Sequence, residues 1–139
     1  MKRLVIDSSV IVKWLNTTNE SHVEEADKIL SDARVGTVEL FTPELAKYEA
    51  GNTLLLGKKI SSQEIGKILQ TLYSFPIQFI PETLELAQQT FLLAERLKIT
   101  YYDASFLALA KQYEATLVTE NIKHQGKSAD ITVVLLKDY

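Results

Sequence analysis

Leu4-Val5-Ile6-Asp7-Ser8-Ser9-Val10-Ile11-Val12 (residues 4–12, LVIDSSVIV) sets a carboxylate between two apolar runs that read as buried segments. An unpaired buried carboxylate is costly, because its charge loses water and gains nothing in return. Asp7 is therefore either a cap where a strand ends, or a group whose charge is needed at that point. The opening Met1-Lys2-Arg3 has the look of a secretion signal. Asp7 and Lys13 interrupt the apolar run, so the segment reads instead as a first β-strand.

Outward from this stretch the chain alternates between strand and helix periodicities. Ser21-x-x-Glu24 predicts a capping box for a helix through Val23, Ala26, Ile29, Leu30 and Ala33. Val38–Phe41 is a second candidate strand, and Thr42-Pro43 then predicts an N-cap with proline at the first helical position. That helix is expected from Glu44 to Leu56, with Gly57 as its stop. Ser61-x-x-Glu64 opens another, carrying Ile65, Ile68, Leu69 and Leu72, and Ile77–Ile80 is a third strand. A long helix from Glu82 to Leu97 places Leu84, Ala87, Phe91 and Ala94 on one stripe. Thr100-x-x-Asp103 caps the next, with Phe106, Leu107, Leu109, Ala110 and Tyr113. Thr116–Val118 and Ile131–Leu136 finish the set. The expectation is one domain over residues 1–139, a three-layer α/β/α fold with a mostly parallel central sheet of four to five strands. Ligands in such folds collect outside the carboxyl ends of the strands.

Composition narrows the function classes. The 139 residues are 46% hydrophobic and 24% charged, as in an ordinary globular domain. The absence of cysteine excludes disulfides, thiolate metal sites and a cysteine nucleophile, and suits a reducing cytoplasm. No window approaches a membrane span. Fifteen Lys and Arg against eighteen Asp and Glu give a net charge of -3, which is not the basic balance of a protein holding nucleic acid by bulk electrostatics. A nucleic-acid substrate held briefly, or through a bridging metal, stays open. A dinucleotide fold is disfavoured because no G-x-G-x-x-G follows the first strand. A haloacid-dehalogenase-type phosphatase needs a second aspartate two positions after Asp7, where Ser9 stands.

Four polar positions fall where such a fold binds ligands. Asp7 follows the first strand, with a helix cap as its plain alternative. Glu49 and Asn52 lie on the Leu45–Leu56 stripe of their helix, unless that edge is exposed and Glu49 reaches outward. Asp103 opens a late helix, where it is also a natural partner for Thr100. Thr119, Glu120 and Asn121 end a strand, as an ordinary polar junction also does. A cluster of carboxylates repels itself unless a cation neutralises it. Oxygen donors without Cys or clustered His favour Mg²⁺ or Mn²⁺ over zinc, and such ions act on phosphates.

VIDSSVIVKWL, ELAKYEAGNTLL and YYDASFLALAKQYEATLVTEN, in this order, resemble the PIN domain, and in particular its VapC-type toxin ribonucleases, over nearly the whole chain. That family carries an aspartate after the first strand, a glutamate in a central helix, an aspartate opening a late helix, and T-x-D or T-x-N after the following strand. Asp7, Glu49, Asp103 and Asn121 occupy these positions. The resemblance implies a metal-dependent endoribonuclease leaving 5′-phosphate and 3′-hydroxyl ends, usually a homodimer and usually silenced by a cognate antitoxin. Asn121 departs from the members with a fourth acid, since an amide cannot supply charge or act as a base. One ion bound by Asp7 and Asp103, with Glu49 direct or through water, is the expectation. Ser9 and Thr119 are expected to orient the carboxylates, with Glu120 adjacent. Lys13, Lys123, His124 and Lys127 are candidates for flanking phosphates. The missing fourth acid favours an alternative, a catalytically weak PIN module acting as a binding or scaffold domain; the three retained acids count against it.

Overall fold

The computed structural model describes residues 1–121 and 130–139, so the candidate phosphate contacts Lys123, His124 and Lys127 lie outside the described residues. The elements in chain order are β1 (Lys2–Ile6), α1 (Ser8–Leu15), α2 (Val23–Arg34), β2 (Val38–Pro43), α3 (Leu45–Asn52), a π-helical turn (Thr53–Gly57), α4 (Ile65–Ser74), β3 (Ile77–Ile80), α5 (Leu84–Leu97), α6 (Tyr101–Gln112), β4 (Thr116–Thr119), β5 (Val133–Leu135) and a 3₁₀ turn (Leu136–Asp138).

All pairings in the sheet are parallel, and its order is β3-β2-β1-β4-β5. Parallel neighbours need crossover helices, and those helices cover both faces of the sheet. That is why Leu4, Val5 and Ile6, at the end of the central strand, are a continuous apolar run with no exposed surface. The chain first builds outward from β1 to β2 and β3, then returns to the other side of β1 with β4 and β5. The order therefore reverses between β1 and β4, and the crevice for a ligand opens at their carboxyl ends. Ile6 pairs with Val118 there, and the Asp7 N–H donates to the Val118 carbonyl at 3.0 Å.

The core joins β1 and β4 to α1, α2 and α6, with Ile11, Ile29, Phe106, Leu107 and Leu109 among its fully enclosed side chains. Trp14 stands edge-on to Phe75, and its indole N–H donates to the Ala26 carbonyl at 2.8 Å, fixing α1 against α2.

Local signals were overridden at several points. Thr42 and Pro43 do not open α3; they are the last residues of β2. The buried Thr42 hydroxyl donates across the sheet to the Ile6 carbonyl at 2.7 Å, and that bond holds the residue in the strand. The Ser21–Glu24 capping box does not form. The Lys13 ammonium donates to the Ser21 carbonyl at 2.6 Å, and the helix starts beyond it, from His22 in the left-handed region at φ 56°. The Ser61–Glu64 pair does meet, hydroxyl to carboxylate at 2.8 Å, ahead of α4. Helix α5 is rolled relative to the expected stripe: Leu86, Thr90 and Leu93 face inward, while Leu84 is 77% and Phe91 60% exposed. Its apolar residues run nearly all round, so packing against α6 sets the phase. Helix α3 likewise buries Ala46 and Ala50, followed by Leu54 in the π turn, and leaves Asn52 and Leu56 exposed.

The Thr42 bond sits one residue before Asp7 and lends itself to measurement. Thr42→Val keeps the shape and removes the hydroxyl. It is expected to lower the unfolding free energy by about 1–2 kcal/mol in urea melts, and Thr42→Ser by less.

Candidate active site

The site begins where β1 passes directly into α1. Asp7 takes the N-cap position with extended backbone (φ -70°, ψ 150°), and its carbonyl accepts the first helical bond from the Val10 N–H at 3.0 Å. Its carboxylate is held from three sides. Oδ1 accepts from the Ser8 N–H at 3.0 Å, and Oδ2 accepts from the Ser9 hydroxyl and the Thr119 hydroxyl, both at 2.8 Å. The two readings of Asp7 are therefore not exclusive: it caps α1 while its second oxygen is clamped by hydroxyls from two different elements.

The neighbouring serine serves a second acid. The Ser8 hydroxyl donates to Glu49 Oε1 at 3.0 Å, drawing α3 to the start of α1. Adjacent serines thus hold adjacent carboxylates, Ser9 on Asp7 and Ser8 on Glu49. The role of Ser8 was not assigned from sequence; the signal was the doubled serine after the aspartate.

Asp103 lies half-buried in the first turn of α6, where its N–H donates to the Thr100 hydroxyl at 3.0 Å, the expected cap. Asn121 follows β4 as an exposed residue, its N–H donating to the Thr119 hydroxyl at 3.3 Å. Thr119 Oγ1 therefore links the backbone of the Asn121 position to Asp7.

The electrostatics follow from this placement. Burial pushes the Asp7 carboxyl above the usual range, the hydrogen bonds from Ser9, Thr119 and Ser8 work against that, and the charge of Asp103 adds to it. Glu49 is also raised, first by burial and then by the charges of Asp7 and Asp103, against the bond from Ser8. Asp7, Glu49 and Asp103 thus share one field.

A hard divalent cation fits this donor chemistry, since it would relieve the repulsion and desolvation that raise Asp7 and Glu49. Among the described residues no group of three or more His, Cys, Asp or Glu is already drawn together tightly enough to hold an ion. The fit is in charge and donor type, with Asp7 the most firmly oriented of the three.

Beside the acids runs a groove lined by Ser8, Ser9, Val12, Lys13, Glu20, Thr53 and Glu120. Glu120 has turned away from Asp7 and stands 3.0 Å from the Lys13 ammonium, which also meets Glu20 at 2.8 Å. Lys13 is 3% exposed, so it is not open to a phosphate. Burial alone would lower its pKa, but Glu20 and Glu120 outweigh that and hold it charged.

With this geometry established, the chain can be set beside known proteins. The family described as PIN domain matches residues 4–127, a span that includes Asp7, Glu49, Asp103 and Asn121. Ribonuclease VapC3 of Pyrobaculum aerophilum is 30% identical over 121 residues, covering 84% of this chain and 88% of that protein. VapBC2 from Rickettsia felis, solved bound to a DNA fragment from their promoter, has a TM-score of 0.71 at 17% identity, covering 96% of this chain and 98% of that one. A toxin-antitoxin complex from Klebsiella pneumoniae has a TM-score of 0.69 at 17% identity, covering 96% and 97%. At these identities the solved structures speak for the fold, while the family match and the VapC3 relative speak for descent: the chain belongs to the PIN domain family.

Proposed function

We propose that this chain is a metal-dependent endoribonuclease that hydrolyses RNA phosphodiester bonds, and that it is the toxin of a VapBC-type pair. The observation that carries the reading is the serine pair holding Asp7 and Glu49 side by side in the field of Asp103. Kinship with Ribonuclease VapC3 supports RNA as the substrate class.

Asp7 and Asp103 would hold Mg²⁺ or Mn²⁺, with Glu49 direct or through water. When bound, such an ion makes water a stronger acid and offsets charge on the phosphoryl oxygens. The chain's own residues do the rest. Ser9 and Thr119 fix the Asp7 carboxylate in one orientation. Ser8 does the same for Glu49, the carboxylate placed to orient the attacking water or take its proton. Attack at phosphorus breaks the bond to the 3′ oxygen and leaves 5′-phosphate and 3′-hydroxyl ends. Asn121 supports the weaker-catalyst alternative, because its amide adds no fourth charge; cleavage by purified protein separates the two.

The exposed apolar residues support an assembly. Helix α2 keeps Ala26, Ile29 and Leu30 inside, so its apolar stripe is covered within the chain itself. Tyr48, Leu55 and Leu56 are exposed, as are Leu69 and Tyr73 on α4, and Leu84, Phe91 and Leu92 on α5. So many large apolar side chains in solvent fit a homodimer that also accepts a cognate antitoxin. Among the described residues no helix is long and apolar enough to cross a membrane.

Purified protein is expected to cleave single-stranded or looped RNA with Mg²⁺ or Mn²⁺ and to stop with EDTA; cleavage that survives full chelation would rule out the metal mechanism. Asp7→Asn and Asp103→Asn should each lower the rate by about 100-fold or more, and wild-type rates in both would refute the site. Thermal melts give a second check. The folded pKa values of Asp7 and Glu49 are raised, so the folded metal-free protein binds more protons than the unfolded chain just above the ordinary carboxylate range. Its stability therefore falls as pH rises from the ordinary carboxylate range through the raised folded pKa values, and the cost is fully present above them. Asn caps a helix about as well as Asp. Asp7→Asn should thus raise the metal-free Tm at pH 7 and shrink the upward shift that Mn²⁺ produces. Equal Mn²⁺ shifts in both proteins would remove Asp7 from the ion. In light scattering at micromolar concentration the chain should run as a dimer; monomer alone would refute the homodimer.

A further inference from the structure

Lys13 is the least exposed charged side chain among the described residues, and it lies one helical turn from Ser9 on α1. Its ammonium donates to Glu20 Oε1 at 2.8 Å and to the Ser21 carbonyl at 2.6 Å, and forms an ion pair with Glu120 Oε1 at 3.0 Å. Glu120 directly follows Thr119, whose hydroxyl donates to the same Asp7 oxygen as Ser9 does. Asp7, Ser9, Lys13, Glu120 and Thr119 therefore close a ring, half of it on α1 and half on the end of β4. Glu20 extends the ring. Its other oxygen accepts from the Lys58 ammonium at 2.6 Å, and Lys58 follows the π turn that continues α3, the helix of Glu49. Lys58 also donates to the Thr18 carbonyl.

We propose that Lys13 is a positioning residue for the acidic site, setting the spacing between α1, the end of β4 and the segment after α3, so that the hydroxyls of Ser9 and Thr119 meet on one Asp7 oxygen. This rests on the ribonuclease reading for its catalytic consequence, but not for its effect on cation binding. Lys13 contacts no substrate in this role. It acts through the residues that orient Asp7, as the outer partners of metal ligands do. Glu120 is equally committed: it anchors the strand end and is kept from the acids it would otherwise repel.

The test must keep the fold. Lys13→Met alone strands Glu120 beside a buried neutral side chain, leaves Glu20 to Lys58, and is destabilising. The informative protein is the full chain carrying Lys13→Met, Glu20→Gln and Glu120→Gln together, since neutralising a buried cation with both of its carboxylates is often tolerated, and Lys58 keeps the Thr18 carbonyl. Circular dichroism and a cooperative melt establish that it is folded. Free Mn²⁺ is then counted by electron paramagnetic resonance in titrations of wild type and triple variant, and kcat and KM are measured on one RNA. The expected result is Mn²⁺ affinity weaker by about 10-fold or more, and kcat lower by about 10–100-fold, with KM within about threefold of wild type. Wild-type Mn²⁺ affinity and kcat in the folded triple variant would overturn the proposal, as would a rise in KM with kcat unchanged, which marks lost substrate contact. If wild type cleaves no RNA, the ribonuclease reading fails and the Mn²⁺ titration alone decides the role of Lys13.

Discussion

A carboxylate at the inner end of the central strand is the constraint to which the surrounding structure answers. β1 is covered on both faces, so the residue that follows it leaves the sheet with little water around it. An acid there costs free energy unless donors replace that water. Asp7 finds one backbone N–H and two hydroxyls, and the hydroxyl of Thr119 comes from 112 residues away. These bonds offset the penalty only in part, because the Asp7 pKa stays raised. The residual cost is what a cation bound there, as proposed, would recover.

The same logic explains the two serines. Asp7 and Glu49 come from elements far apart in sequence, and like charges do not approach each other unaided. Consecutive residues at the start of a helix point about 100° apart, so Ser8 and Ser9 can each reach a different acid from one rigid turn. Functional groups held by short side chains at the start of a packed helix keep their orientation better than groups on loops.

Lys13 shows how charge is balanced behind the site. The acids in front carry an excess of negative charge, while the Lys13, Glu20, Glu120 and Lys58 cluster is neutral. A neutral, hydrogen-bonded cluster can be buried without adding to the field at Asp7. The ammonium also overrides local preference: by taking the Ser21 carbonyl it removes the capping box that the sequence pattern favours and moves the start of α2.

The sequence by itself determined the layered α/β class, the run of strands and helices, and the placement of Asp7 and Asp103 at element junctions. These are local facts: apolar periodicity, cap residues and the ends of short β runs are written within about ten residues of each other. It also carried the family resemblance, since the order of short motifs survives in one dimension. Only the tertiary structure decided that Thr42 belongs to a strand, because the Ile6 carbonyl that holds it lies 36 residues away. It likewise decided which side of α5 faces inward, because Leu84 and Phe91 are as apolar as Leu86 and Leu93 and only the neighbouring helix chooses between them. The pairing of Ser8 with Glu49 and the commitment of Glu120 to Lys13 were beyond sequence for the same reason. A side chain's partner is set by which elements the sheet order brings together, and the reversal between β1 and β4 is a property of the whole chain.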